Sequence, residues 1–357
     1  MKKSLHVSAL CILIFLVAAI SQAINDIGGE IETRLNFDIN KSKSIWSRTS
    51  LKLNVDSKFG DKVRSYANVK LYTTEELNFD WKLTEAYAEY YGKKLDIRGG
   101  LQIVSWGTAY SINPTDKINP FDLSEEEAFI PEEKLGVIAL KMKFYPITNL
   151  SLTGIYLPYF VPALEIPEVA LPEKNLNNSE YAIKISAQSP WGWDISACFF
   201  DGKEDYPWTN GQYRDVLIYG GDVIGTIWEI ALWGEGAYTI PKIGNSYYDI
   251  AVGGEYTFRD DLYFMGQFYH RNNENNKENY LMSVLRYAFS FPVIESFQIG
   301  VAYEFDNEFV IVYPELSFSF GDAISLVLSG IATKGDAEGT FMGQIKDKIL
   351  VKLKYSF

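Results

Sequence analysis

Two cysteines and two histidines are all that this chain of 357 residues contains of either type, and one of each, Cys11 and His6, falls within its first 23 residues. The remaining Cys198 and His270 cannot build a disulfide framework or a typical zinc site. They leave a minimal inventory for imidazole catalysis, and no cofactor is expected. Basic residues are also short: 33 Lys and Arg stand against 46 Asp and Glu, a formal net charge of −13. Affinity for phosphate backbones rests on Lys and Arg, so nucleic acid is excluded as a partner. The third shortage is of long apolar runs. Beyond residue 20 nothing approaches the roughly 20 apolar residues that a transmembrane helix needs, which excludes a helical membrane protein. What the chain has in quantity is aromatic side chains, 15% of residues, with 24 Tyr and 8 Trp.

At the N-terminus, Lys2 and Lys3 precede a run from Ala9 to Ile20 of about a dozen apolar residues, too short to cross a bilayer as a helix. Ser21 and Ala23 then bracket Gln22. This is the pattern of a cleavable signal peptide over 1–23, with Ile24 as the first mature residue. Its loss removes only Lys2 and Lys3 from the charge count, taking −13 to −15. The expected mature domain is 24–357, one unit, exported and acidic.

From there the hydrophobic pattern has period two. Ile31, Leu35 and Phe37 alternate with Glu32, Arg34 and Asn36; Leu51, Leu53 and Val55 with Lys52, Asn54 and Asp56; Phe297, Ile299, Val301 and Tyr303 form a later apolar face. Strict alternation marks strands with one apolar and one polar face. Counting segments gives about 18 strands. The segment around Trp81 has no clear register, and alternation is weak at 150–160 and at 215–225.

Short connections near 59–62, 91–94, 145–149, 189–192, 259–261, 291–295 and 321–323 alternate with longer breaks near 106–133, 161–179, 201–214, 271–279 and 334–345. A soluble sandwich or propeller gives no reason for such alternation. A transmembrane β-barrel does, with short turns on one side and long loops on the other. The fold expected is all-β: a transmembrane antiparallel β-barrel of 16–18 strands, 18 the best number, with both termini periplasmic.

The last segment carries Ile349, Val351, Leu353, Tyr355 and Phe357 on one face and Lys352 and Lys354 on the other. A closing strand with a terminal Phe and a Tyr two residues before it resembles the final strand of Gram-negative outer-membrane β-barrels. The resemblance implies that Tyr355 and Phe357 serve barrel closure and insertion, with the insertion machinery, outer-membrane lipid and lipopolysaccharide as partners.

The most distinctive internal stretch runs through Trp106-Gly107, Asn113-Pro114-Thr115-Asp116 and Asn119-Pro120-Phe121-Asp122. Asn and Asp bond nearby backbone and Pro fixes φ, so each Asn-Pro-x-Asp unit reads as a turn and the whole as a structured loop. It resembles a group of bacterial outer-membrane barrels, some related to alginate-export porins, that carry Trp-Gly followed by Asn-Pro and Asp elements after an early strand. This implies a porin-like channel and names no solute. The acids Asp116, Asp122, Glu125, Glu126 and Glu127 are the candidate constriction, since charge rings are how pores discriminate. The alternative is a solvated outer loop. Arg34, Lys52, Arg64, Lys70, Arg98, Lys141, Lys143 and Lys184 have lumen parity and form the candidate basic wall opposite them.

The expected function is therefore an outer-membrane channel for passive diffusion of small polar solutes or ions, mildly cation-preferring, possible as a homo-oligomer. Two other classes compete. A non-conducting adhesin or structural barrel would use the loops at 161–179 and 201–214. A lipid hydrolase would need a nucleophile beside His270, but Asn272 stands where outer-membrane phospholipases have Ser two residues after the His, and no Gly-x-Ser-x-Gly elbow is present. The chain is not expected to be an enzyme. Cys198, at a lumen-parity position, reads as a small filler.

Overall fold

The computed structural model describes residues 24–39, 45–73, 78–110, 112–122, 133–163, 169–207, 211–273, 277–335 and 345–357. The proposed signal segment 1–23 and Glu125, Glu126 and Glu127 lie outside them. Eighteen strands follow in sequence: β1 (Ile24–Asp38), β2 (Ile45–Phe59), β3 (Val63–Thr73), β4 (Phe79–Tyr91), β5 (Leu95–Gln102), β6 (Val137–Ile147), β7 (Leu150–Leu157), β8 (Glu180–Gln188) and β9 (Asp194–Lys203) form one half. The other half is β10 (Asp215–Ile227), β11 (Ile230–Pro241), β12 (Tyr247–Phe258), β13 (Leu262–Asn272), β14 (Lys277–Ala288), β15 (Ile294–Glu304), β16 (Phe309–Phe320), β17 (Ile324–Lys334) and β18 (Lys348–Ser356).

Each strand pairs with its sequence neighbours, and β1 pairs with β18, so the sheet closes on itself as a transmembrane antiparallel β-barrel with no free edge. At the seam, the Phe357 N–H donates to Gly29 O at 3.0 Å and the Gly29 N–H to Phe357 O at 2.9 Å. The two backbones thus remain paired one residue past β18.

Alternation decides inside from outside. On β6, Ile138 is 44% exposed and Ala139 is 3% exposed. Leu140, Met142 and Phe144 continue the exposed face, and the same holds for Ile349, Leu353 and Tyr355 on β18. An outer surface of Ile, Leu, Phe and Tyr suits hydrocarbon, while the opposite parity points into the lumen.

The connections that follow the even-numbered strands, from β2 to β16, contain two to five residues and lie at one end of the barrel. Seven of them coincide with the expected turns. The eighth, Trp228-Glu229 between β10 and β11, carries no Gly, Pro or Asn; Trp228 instead adopts φ 56°, a left-handed conformation that its sequence does not announce. The unclear register around Trp81 also has a local cause. The pairing of β3 with β4 shifts between Asn68 and Val69, so the residues of β4 exchange parity at this irregularity.

Candidate pore constriction

After Gln102 the chain leaves the sheet and re-enters it at Val137, and the described residues between them, 103–110, 112–122 and 133–136, turn into the barrel. Its two stems are stapled by Asn119, which is 1% exposed. The Asn119 Oδ1 accepts the Val104 N–H at 2.7 Å, and its Nδ2 donates to Gln102 O at 3.0 Å and Leu135 O at 2.7 Å. Backbone bonds from Leu135 N to Pro120 O and from Asp122 N to Glu133 O, both 2.9 Å, continue the closure. Of the two Asn-Pro units, the first is the local turn expected, with Asp116 N donating to Asn113 O at 3.3 Å. The second works differently: Asn119 ties together strand ends 33 positions apart rather than its own neighbours.

Beyond the stems, the loop reaches the wall formed by β10–β13. Both oxygens of Glu235 on β11 receive it. Oε2 accepts the N–H groups of Thr108 and Ala109 at 2.7 and 3.0 Å, and Oε1 accepts the N–H and hydroxyl of Thr115 at 2.7 and 2.8 Å. Gln267 on β13 adds a two-way pair, accepting from Tyr110 N and donating to Tyr110 O, each at 2.6 Å. The Trp233 indole N–H fixes the Gln267 amide from the other side at 2.9 Å.

Two glycines make the approach possible. Gly107 has φ 86°, and a Cβ there would lie 2.5 Å from the Glu235 carboxylate; a Cβ on Gly220 would lie 2.7 Å from the Thr115 methyl. Apolar packing completes the docking. Trp106 and Ile118, 6% and 2% exposed, pack against Ile155, Leu157, Ala182 and Ile218 on the inner wall, and Ala109 against Trp233, Ala251 and Met265. Inner-wall residues such as Val216 and Ile218 are apolar because the loop, not water, covers them.

The charges of the loop are largely compensated. Asp116 pairs with Lys134, and Asp122 with Lys82. Glu133 bridges Lys52 at 2.6 Å and Lys70 at 3.1 Å. Burial opposes ionisation of Glu133, but the Lys70 ammonium, and then the hydrogen bond and charge of Lys52, outweigh it and hold the carboxyl at about 2. Asp116 and Asp122, read from sequence as candidate constriction acids, are thus 4% exposed members of ion pairs that hold the loop in place.

The eight residues of the basic wall all lie on the inner face. Arg34 pairs with Glu32, Arg64 with Asp56 at 2.7 Å, Arg98 with Glu89 at 2.6 Å, and Lys184 with Asp222 at 2.9 Å, so the wall does not face the loop as a row of bare cations. Lys141 and Lys143 have no carboxylate partner among the described residues; Lys143 lies over the Tyr145 ring, 5.2 Å from its centroid. Across the lumen, Glu255, Glu278 and Glu315 receive hydroxyls from Tyr263, Tyr280 and Tyr313 at 2.6, 3.0 and 2.7 Å. Neutral donors leave a carboxylate its charge.

Sequence reasoning missed Lys82, Lys134, Glu235 and Gln267. The only sign of Glu235 was a charge at an inner-face position between Gly234 and Gly236. Tyr355 and Phe357 stand at the seam, their rings stacked at 5.9 Å. His270 faces outward on β13, its Nδ1 2.8 Å from Asn279 Oδ1 and its ring 5.5 Å from that of Tyr248.

The closed 18-strand antiparallel barrel matches outer-membrane porin structures in fold. The chain is similar to OccAB4 of Acinetobacter baumannii at 11% identity and a TM-score of 0.61, over 94% of this chain and 98% of the other. It is also similar to OccK5 (OpdH) of Pseudomonas aeruginosa, 10% identical with a TM-score of 0.60 over the same shares, 94% and 98%. The outer membrane channel DcaP of Acinetobacter baumannii matches at 11% identity and 0.51, over 93% and 96%. At these identities the likeness is one of fold. No known-family profile matches the sequence, so the alginate-export resemblance of the 106–122 stretch finds no support there, and no curated protein matches it either.

Proposed function

We propose that the chain is an outer-membrane porin-like channel for passive diffusion of small hydrophilic solutes and ions. The observation that carries this reading is the anchorage of the 103–136 loop on Glu235 of β11, six strands from where the loop leaves the sheet. A loop tied across a lumen narrows it, whereas an adhesin gains nothing from buried loop anchors. The short turns, and with them both termini, lie on the periplasmic side, and 1–23 is removed on export.

The selectivity is mild and for cations. Its support moves from Asp116 and Asp122, which are paired, to Glu255, Glu278 and Glu315, which accept from neutral hydroxyls of Tyr263, Tyr280, Tyr313 and Ser317, and to Glu125, Glu126 and Glu127. Lys141 and Lys143 oppose them, which keeps the preference small. Catalysis by His270 lacks its nucleophile, because Asn occupies position 272. Single-channel recording in planar bilayers tests the reading: discrete conductance steps with a reversal potential displaced towards cations under a salt gradient are expected. A folded, inserted barrel that passes no current overturns it.

A further inference from the structure

Below the loop, towards the short-turn end, the inner wall of β6–β10 holds a cavity of about 380 Å³. Its floor is a row set by strand register: Ser151 on β7 pairs with Ser186 on β8, Ser186 with Ser196 on β9, and Ser196 with Asp222 on β10. All are inner-face positions, so neighbouring strands place the side chains about 4.8 Å apart. The row above contains Lys143 and Lys184, and the row below contains Asp194, all lining the same cavity. Thr108 of the loop lines it as well, so the arrangement exists only with the loop folded in.

We propose that this cavity is a subsite for a neutral, polyhydroxylated solute of mono- to disaccharide size, and this rests on the channel reading only for how the solute arrives. Three features point to that chemistry. A hydroxyl both donates and accepts, so a line of serines suits a solute whose own groups are hydroxyls. Within the row, Ser196 bonds Asp222, while the hydroxyls of Ser151 and Ser186 have no partner among the described residues and are free to bond a solute. The four charges lining the cavity sum to zero, Lys184 being paired with Asp222 and Lys143 and Asp194 adding one of each sign, so neither a bare anion nor a bare cation is favoured. Solutes held here for longer than their neighbours pass as a preferred class through an otherwise general pore.

The test uses the full barrel in detergent, titrated calorimetrically with sucrose, beside single-channel recording in KCl with sucrose added. Saturable sucrose binding is expected, weakened about tenfold or more in the triple variant Ser151→Ala, Ser186→Ala, Ser196→Ala, since three hydrogen bonds of modest net value are removed together. The single variant Ser186→Ala should show a smaller loss in the same direction, and Ser329→Ala, on the inner wall of β17, none. Triglycine, a zwitterion of similar size, should not compete. A barrel that conducts KCl yet binds no sucrose, or binds it equally in the triple variant, overturns the subsite while sparing the channel; preferential binding of triglycine overturns it in favour of zwitterions. Sucrose binding by a barrel that passes no current supports the subsite and overturns the channel.

Discussion

The carboxylate of Glu235 accepts the backbone N–H of Thr108 at 2.7 Å across 127 positions of sequence, and with Ala109 and Thr115 it gathers four donors of the loop onto one inner-wall residue. Glu235→Ala removes the acceptor for all of them. Each stranded donor that water cannot reach costs about 1–3 kcal/mol, enough together to release the loop's far end. Single-channel recording should show larger and noisier conductance with the barrel still inserted. Glu235→Gln, which keeps one acceptor oxygen, should fall between. An unchanged conductance in Glu235→Ala would falsify the anchor.

Charge selectivity separates two groups of acids. Asp122→Asn unpairs Lys82 and Asp116→Asn unpairs Lys134, so each leaves a new positive charge in the lumen. Each should move the reversal potential towards anions, strongly at low salt and little at high salt, because charges beyond a Debye length are screened. Neutralising Glu125, Glu126 and Glu127 to Gln leaves those ion pairs intact. If the triple variant also shifts the reversal potential towards anions, these acids lie beside the permeation path; an unmoved potential places them outside it.

The pH dependence of the loop follows from Glu133. Its folded-state value, about 2, lies below the ordinary carboxylate value, so its contribution is complete above pH ~4.5 and is lost as pH falls through about 2. The ion pairs with Lys52 and Lys70 should therefore persist at pH 4, and wild-type conductance at saturating salt should be the same at pH 7 and pH 4. Glu133→Gln should resemble the acid-opened state already at pH 7. Loop opening in the wild type between pH 7 and pH 5 would show that another group governs it.

Closure depends on Phe357 in two ways, through its backbone bonds with Gly29 and through its ring, which packs over the Gly29 Cα. Phe357 deletion should reduce assembly more than Phe357→Ala, which keeps the backbone bonds, and both should exceed Ile349→Ala. Gly29→Ala should also impair assembly, since its Cβ would lie 2.8 Å from the Lys52 carbonyl oxygen and would displace the Phe357 ring. Quantifying folded barrel in outer-membrane fractions checks the order; equal yields for all four variants would remove any special role for the terminal aromatic.

Taken by itself, the sequence determined the barrel. Side-chain period two is a property of each strand alone, so Ile31, Leu353 or Phe297 could be assigned outward without knowing their neighbours, and short turns alternating with long loops supplied the topology. It also marked the 106–122 stretch as ordered, because the turn chemistry of Asn113 and Pro114 is local. Only the tertiary structure decided where that loop goes and what its charges do. The partners of Asp116, Asp122 and Glu133 are chosen by proximity in the closed lumen, and the loop's anchors, Glu235 and Gln267, lie on strands that the chain reaches more than a hundred residues later. Register between strands did the same for the row from Ser151 to Asp222: no local pattern links these four residues, and only the pairing of β7, β8, β9 and β10 brings them into line.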